Sequence, residues 1–248
     1  MTDKEKIADA ANNVENKYIK NIPENFWFLR FLDQYMQGHK GFIAGGCFKN
    51  ILSREKVKDV DIFFHNQSDF DEAVAHFNSL VEEGTWTFKY RNNKACAFQE
   101  KGSSMWVELI ESVFGTPEDI LNNFDFTITK FAYYKEIVPD NVTSMPADES
   151  EDFPFDDSDD KWHWEYMLLY HRDFFEHLHQ KRLVLDNKIP FPISTWERSY
   201  RYKGYGYNLC RESKKKLLDA IRNTTSKDDE LSMYNIGAVS YTHLTLPT

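Results

Sequence analysis

The sequence predicts an α+β protein: a mixed or antiparallel sheet with flanking helices, followed by a small C-terminal helical domain. Three observations carry this. A short apolar run ends in Gly45-Gly46 and leads into a helical stretch and then a strand, all within residues 41–64. Three segments, Thr85–Tyr90, Lys94–Glu100 and Ser104–Glu111, are separated by short polar turns, as in an antiparallel meander. Beyond an acidic stretch, the aromatic-rich segments 161–182, 194–203 and 208–222 read as helices.

In chain order, residues 4–20 and 23–37 read as helices, making 1–37 an N-terminal helical segment. Pro23 suits a first turn, where its missing N–H leaves no bond unmade. Phe26, Leu29, Phe31, Leu32 and Tyr35 form a broad apolar stripe. Gly41–Ala44 is a short buried strand and Cys47–Ser53 a short helix. Val57–Phe64 is a second strand, with Asp59 and Asp61 on one face and Val60 and Ile62 on the other, because successive side chains alternate. Ser68 caps a helix to Glu83 that buries Phe70, Val74, Phe77 and Val81 and ends at Gly84. After the meander, Thr116-Pro117-Glu118-Asp119 reads as a helix start: a cap, a first-turn proline, then acids at the positive end of the helix. Phe124–Tyr134 is the last strand of a unit spanning 38–138. Residues 139–160 form an acidic linker whose eight carboxylates between Asp148 and Asp160 cannot bury themselves. The helical domain spans 161–238. Val239–Thr248, VSYTHLTLPT, resembles a translated sequencing adapter and is set aside from the functional reading as an artefactual tail.

Composition narrows the function. The 248 residues are 41% hydrophobic and 16% aromatic, which excludes a disordered chain. No apolar run approaches the ~18–20 residues that span a bilayer, and the polar N-terminus has no signal-peptide core, so no membrane partner is expected. Cys47, Cys96 and Cys210 are far apart, which argues against a disulfide framework or a Cys-rich zinc site and points to the cytoplasm. The net charge of −10 is uneven. Residues 1–160 hold 16 Lys/Arg and 30 Asp/Glu, and residues 161–238 hold 14 and 10, so 16 − 30 = −14 faces 14 − 10 = +4. Non-specific binding of nucleic acid over the whole surface is excluded, while a basic C-terminal face is not.

The chemistry concentrates in Phe42–Phe64, FIAGGCFKNILSREKVKDVDIFF. Two glycines at a strand end let backbone approach a bulky ligand such as a triphosphate. A helix start follows, with free N–H groups for an anion. Thirteen residues after Gly46, Asp59 and Asp61 share one strand face. Paired carboxylates there can hold Mg²⁺ through oxygen ligands. A third acid is expected on a neighbouring strand. Glu108 alternates with Val107 and Leu109 and faces away from them, and Asp125 competes for the role. In Thr195–Asn208, Arg198, Arg201 and Lys203 are interleaved with Trp196, Tyr200, Tyr202, Tyr205 and Tyr207. Such cations can hold phosphates and such rings can stack bases, or the helix can pack its rings and turn its charges to water.

Other patterns are set aside. His171-Arg172-Asp173 lacks the rest of a kinase catalytic loop. His163, His171, His177 and His179 lack an acid or Cys set that would complete a zinc site. Cys47 lacks a partnered His.

The glycine–aspartate pattern resembles the nucleotidyltransferases of the DNA polymerase β superfamily, above all the head domain shared by tRNA CCA-adding enzymes and bacterial poly(A) polymerases. Their motif reads roughly GGxxRDxLLxRxxxDxD. Gly45, Gly46, Leu52, Asp59 and Asp61 fall at its spacing, with Arg54 one residue before the motif's second Arg. Lys49 stands for the usual Arg and Asn50 for the usual Asp, which counts against CCA addition to tRNA but leaves the metal ligands. The run Val107–Tyr134 looks like a stretch in viral and phage relatives, which often carry Gln where Glu108 stands. The resemblance implies a polymerase-β-like head and transfer of an NMP from an NTP to an acceptor hydroxyl, with an RNA 3′ end as the default acceptor. It implies two Mg²⁺ ions on Asp59, Asp61 and Glu108, and nucleotide contacts from Gly45, Gly46, Lys49, Asn50, Arg198, Tyr202 and Lys203. The alternative is a non-catalytic nucleotide- or RNA-binding module of the same fold, which Lys49 and Asn50 favour.

Overall fold

The computed structural model describes residues 17–139, 162–186 and 189–224. Eight strands form one mixed sheet: β1 (Tyr18–Asn21), β2 (Phe42–Ala44), β3 (Asp59–Phe64), β4 (Trp86–Arg91), β5 (Ala95–Glu100), β6 (Trp106–Phe114), β7 (Phe131–Pro139) and β8 (Trp162–His171). Their order is β1-β8-β7-β2-β3-β6-β5-β4. Among these neighbours β3 and β6 run parallel and the others antiparallel. A parallel pair needs a long crossover, supplied here by α2 (Gln67–Glu82) and the β4–β5 hairpin. The other helices are α1 (Cys47–Leu52), α3 (Pro117–Asn123), α4 (Phe174–His179), α5 (Pro192–Gly204) and α6 (Arg211–Asn223). Two-residue strands β9 (Arg182–Leu183) and β10 (Asn208–Leu209) pair in parallel.

Strand alternation sorts the two faces. Ile43, Val60, Ile62, Phe64, Phe98, Val107, Leu109, Phe131 and Tyr133 enter one large core with α2 residues Phe70 and Phe77. On the other face Phe42, Ala44, Phe63, Ala95 and Ile110 join Ile120 and Leu121 of α3 in a second cluster. Asp59, Asp61 and Glu108 fall on this second face, beside that cluster.

Several expectations are met. β2, α1, β3, the meander, α5 and α6 lie where the pattern put them, within a few residues. Thr116 caps α3 in a reciprocal capping box with Asp119. Others are corrected. Of the helix expected over 4–20, residues 4–16 lie outside the described residues, and Tyr18–Asn21 is an edge strand against β8. Pro23–Met36 is a succession of 3₁₀ turns broken at Phe26, not one α-helix. Asn66, not Ser68, caps α2, its side chain accepting from the Asp69 N–H. Phe124–Tyr134 is not one strand: a 3₁₀ turn at Thr127–Thr129 precedes β7.

The largest correction is at 161–182. Trp162–His171 is a full strand, and a helix occupies only Phe174–His179. Its Trp164, Tyr166, Leu168 and Tyr170 recur every second residue, and Tyr166 and Tyr170 stack on Tyr133 and Phe131 of β7. Such ring-rich alternation suits a pleated surface. Nearly all of the acidic stretch 139–160, and the tail 239–248, lie outside the described residues.

Candidate active site

The glycine turn lies against the acidic strand. Gly45 has φ +105°, a conformation that side-chain-bearing residues rarely adopt. A Cβ there would stand 3.7 Å from Asp61 Oδ2 and 3.5 Å from the Phe124 ring. Its N–H donates to the Phe131 carbonyl at 3.0 Å. A Cβ on Gly46 would stand 3.8 Å from the Tyr202 hydroxyl, so α5 faces the turn from across it.

The register sets Asp61 of β3 directly opposite Glu108 of β6. Glu108 is buried and Asp61 half-buried, with Asp59 exposed at the strand's mouth. Burial holds the Asp61 carboxyl well above the usual carboxylate range, and the charges of Asp59 and Glu108 push it further up. Burial likewise pushes Glu108 up to about 7, opposed by the hydrogen bond from Tyr90 and helped by the charge of Asp59. Desolvation by the surrounding site raises Asp59 too, although the residue is exposed on its outer side, against the charges of Lys58 and Arg201. Asp61 Oδ1 and Glu108 Oε2 are enclosed and have no hydrogen-bond partner. Two unpartnered carboxylate oxygens on adjacent strands are costly in a low-dielectric site. A cation between them would relieve that cost.

Among the described residues, no group of three or more His, Cys, Asp or Glu side chains is arranged to hold a metal ion by itself. The expected three-acid set is therefore not a ready-made cage. The donor set still fits Mg²⁺, which keeps several waters and takes one or two carboxylates together with substrate phosphates. The orphaned oxygens of Asp61 and Glu108 are that kind of donor.

Asp125 is otherwise engaged. Its Oδ2 accepts from Arg198 Nε at 3.0 Å, Arg198 Nη2 at 2.6 Å and the Thr195 hydroxyl at 2.9 Å. Between the two candidates for third acid, the geometry brings Glu108, not Asp125, to Asp61. The same bonds hold the guanidinium of Arg198, expected at the nucleotide, against the segment between α3 and β7. Lys49 also turns inward. Its ammonium lies 5.1–6.0 Å from the rings of Tyr202, Tyr205 and Tyr207, 3.5 Å from Glu55 and against Asn50. Asn50 in turn donates to the Lys56 carbonyl. Of the other expected nucleotide contacts, Gly45, Gly46 and Tyr202 line the turn, while Lys203 is exposed.

Sequence reasoning missed Tyr90, whose hydroxyl donates to Glu108 Oε1 at 2.8 Å. No local pattern announces it. Two surface cavities lie apart from the acids. One, about 530 Å³, is lined by Arg211, Lys214, Lys215, Leu218, Asp219 and Arg222. The other, about 280 Å³, is lined by Ile193, Trp196, Leu218 and Ile221. No helix among the described residues is long and apolar enough to cross a membrane.

Comparison with known proteins agrees with this architecture. The family model described as Gabija anti-defense 2 family protein matches residues 17–181. A protein named Gabija anti-defense 2, from Bacillus phage SPbetaL7, is 24% identical over 215 residues, covering 83% of this chain and 44% of its own length. Among solved structures, a CCA-adding enzyme with ATP superposes with a TM-score of 0.52 at 14% identity, covering 86% of this chain and 46% of that one. The Thermotoga maritima CCA-adding enzyme with tRNA gives 0.48 at 13% identity, covering 86% and 47%. The likeness to the CCA-adding enzyme with ATP shows the fold, that of the nucleotidyltransferase head. The chain spans about half the length of the relatives it matches.

Proposed function

The chain belongs to the Gabija anti-defense 2 family, and from that premise we propose that it is a Mg²⁺-dependent nucleotidyltransferase through which a phage counteracts Gabija defence. The reaction moves an NMP from an NTP to an acceptor hydroxyl, with an RNA 3′ end as the default acceptor. The observation that carries this reading is the pair of unpartnered, enclosed oxygens of Asp61 and Glu108 beside the Gly45-Gly46 turn.

Asp61 and Glu108 would hold the ion, with Asp59 at its open side. Bound Mg²⁺ supplies charge neutralisation to the triphosphate and acidifies the attacking hydroxyl. The two glycines leave room for the triphosphate to approach backbone beside Asp61. Lys58 and Arg201, the cations that act on Asp59, favour phosphate oxygens near the mouth. Protein groups mainly position and stabilise charge in such chemistry. Lys49 acts at one remove, ordering Tyr202 opposite Gly46 rather than touching phosphate. The cations of α6 support an RNA acceptor in a chain that is acidic overall.

One finding favours the second reading, a non-catalytic nucleotide- or RNA-binding module. Lys49 and Asn50 are spent on internal contacts, and among the described residues no three acids close around a metal. One experiment separates the two. The protein is incubated with each α-labelled NTP, Mg²⁺ and mixed small RNA, beside an Asp59→Ala/Asp61→Ala variant. Label transferred only by the unmutated chain is expected. Nucleotide binding without transfer, unchanged when Mg²⁺ is removed, selects the binding module. The same pair of proteins expressed in a host carrying Gabija tests the biological role: only the unmutated chain should restore phage growth.

A further inference from the structure

The sheet register sets one row of side chains on the carboxylate face across four strands. Tyr90 of β4 stands opposite Ala97 of β5, Ala97 opposite Glu108 of β6, and Glu108 opposite Asp61 of β3. The Tyr90 hydroxyl donates to Glu108 Oε1 at 2.8 Å, while Glu108 Oε2 and Asp61 Oδ1 stay enclosed and unpartnered. We propose that Tyr90 is the positioning residue of this site. Its hydroxyl pins one oxygen of Glu108 and so presents the other, together with the Asp61 oxygen, to a divalent cation. This inference rests on the metal-dependent reading above.

Two features of the sheet put Tyr90 there. The first is a bulge in β4. Phe88 pairs with Phe98 but Tyr90 pairs with Ala97, so two residues advance on β4 for one on β5. With regular pairing Lys89 would stand opposite Ala97, and Tyr90 would turn to the opposite face. The extra residue brings Tyr90 onto the carboxylate face, and such re-aiming is what bulges do. Its neighbours agree. The Lys89 ammonium lies 5.6 Å from the Trp106 ring and the Tyr90 ring 6.2 Å from it. Arg91 returns to the helix side, 5.6 Å over the Phe70 ring of α2.

The second feature is Ala97, which is fully buried. Strands two apart are separated by roughly 9.5–10 Å. Tyr90 and Glu108 must meet over the intervening residue, and a methyl group leaves that line open where a branched side chain would block it. The pin also has a physical purpose. Two carboxylates facing each other repel, and an unanchored Glu108 would rotate away from Asp61. Fixing one oxygen from outside keeps the pair together before the cation arrives, as outer partners of metal ligands do.

The test is Mn²⁺ binding by the full chain, read from the paramagnetic resonance signal of the free ion. The proteins are the unmutated chain, Tyr90→Phe, Glu108→Gln, their double variant, Ala97→Val and Asp61→Asn, each checked for folding by thermal unfolding. Tyr90→Phe should weaken Mn²⁺ binding about 10–100-fold. The double variant should bind no more weakly than Glu108→Gln alone, because Tyr90 acts only through Glu108. Ala97→Val, which removes neither polar group, should reproduce the loss of Tyr90→Phe. Unchanged affinity in Tyr90→Phe, or a loss that adds in full to that of Glu108→Gln, overturns the positioning role while leaving the metal site standing. If the unmutated chain fails to bind Mn²⁺, or Asp61→Asn binds it equally well, the metal reading falls and the role of Tyr90 falls with it.

Discussion

Glu108, the proposed metal ligand opposite Asp61, carries a stability cost of its own. Burial pushes its carboxyl up to about 7 from an ordinary value of 4.5. Between those values the folded chain keeps a proton that the unfolded chain has released. Stability of the metal-free protein therefore falls as pH rises through that window, and the loss is complete above it. Asp61, also raised, adds in the same direction. Glu108→Gln should flatten this dependence and leave the metal-free protein about 1–3 kcal/mol more stable at pH 8. Urea denaturation at pH 5 and pH 8 measures it. A variant no more stable than its parent at pH 8 would show that the buried charge is compensated by protein groups. That Glu108 shares the sheet face of Asp59 and Asp61 was legible from its alternation with Val107 and Leu109. Its partner Tyr90 was not, because a bulge changes strand parity without marking the sequence.

At the scale of elements, the site depends on how α5 is held. Asp125, just before the 3₁₀ turn that precedes β7, takes three hydrogen bonds from Thr195 and Arg198 of α5. Removing one member of a buried charged pair leaves the other without its counter-charge. Asp125→Ala should cost about 2–3 kcal/mol, less than for a fully enclosed pair because the Arg198 side chain is 27% exposed. Arg198→Ala in that background should add little. Thermal or denaturant unfolding of the two single variants and the double reads this. Full additivity would mean the two side chains act separately. The sequence placed Arg198 on a basic, aromatic helix correctly. Only packing decided that its guanidinium serves the fold, since an inward charge and an outward one look alike in the string of residues.

For the whole molecule, the metal reading predicts a coupling between cation and stability. A ligand bound only by the folded chain stabilises it by about 2.7 kcal/mol at a hundred-fold excess over its Kd. For a chain of this length that is a Tm rise of about 5–10 °C. Calorimetry in EDTA and in Mg²⁺ should show that rise for the unmutated protein and none for Asp61→Asn. The variant control matters because a net charge of −10 binds divalent ions diffusely as well. Equal rises in both proteins would assign the effect to that diffuse binding.

By itself the sequence determined the strand–glycine turn–helix–strand unit, the meander, the shared face of Asp59 and Asp61, and through them the nucleotidyltransferase head. These are local matters: alternation, caps and turn residues act over a few neighbours and leave their mark in the residues. Tertiary structure alone decided that Trp162–His171 extends the sheet, that Lys49 sits among tyrosines, that Asp125 belongs to Arg198, and that Tyr90 reaches Glu108 across Ala97. Each depends on which distant strand or helix lies alongside. Burial and register assign a side chain its partner only after the chain has folded.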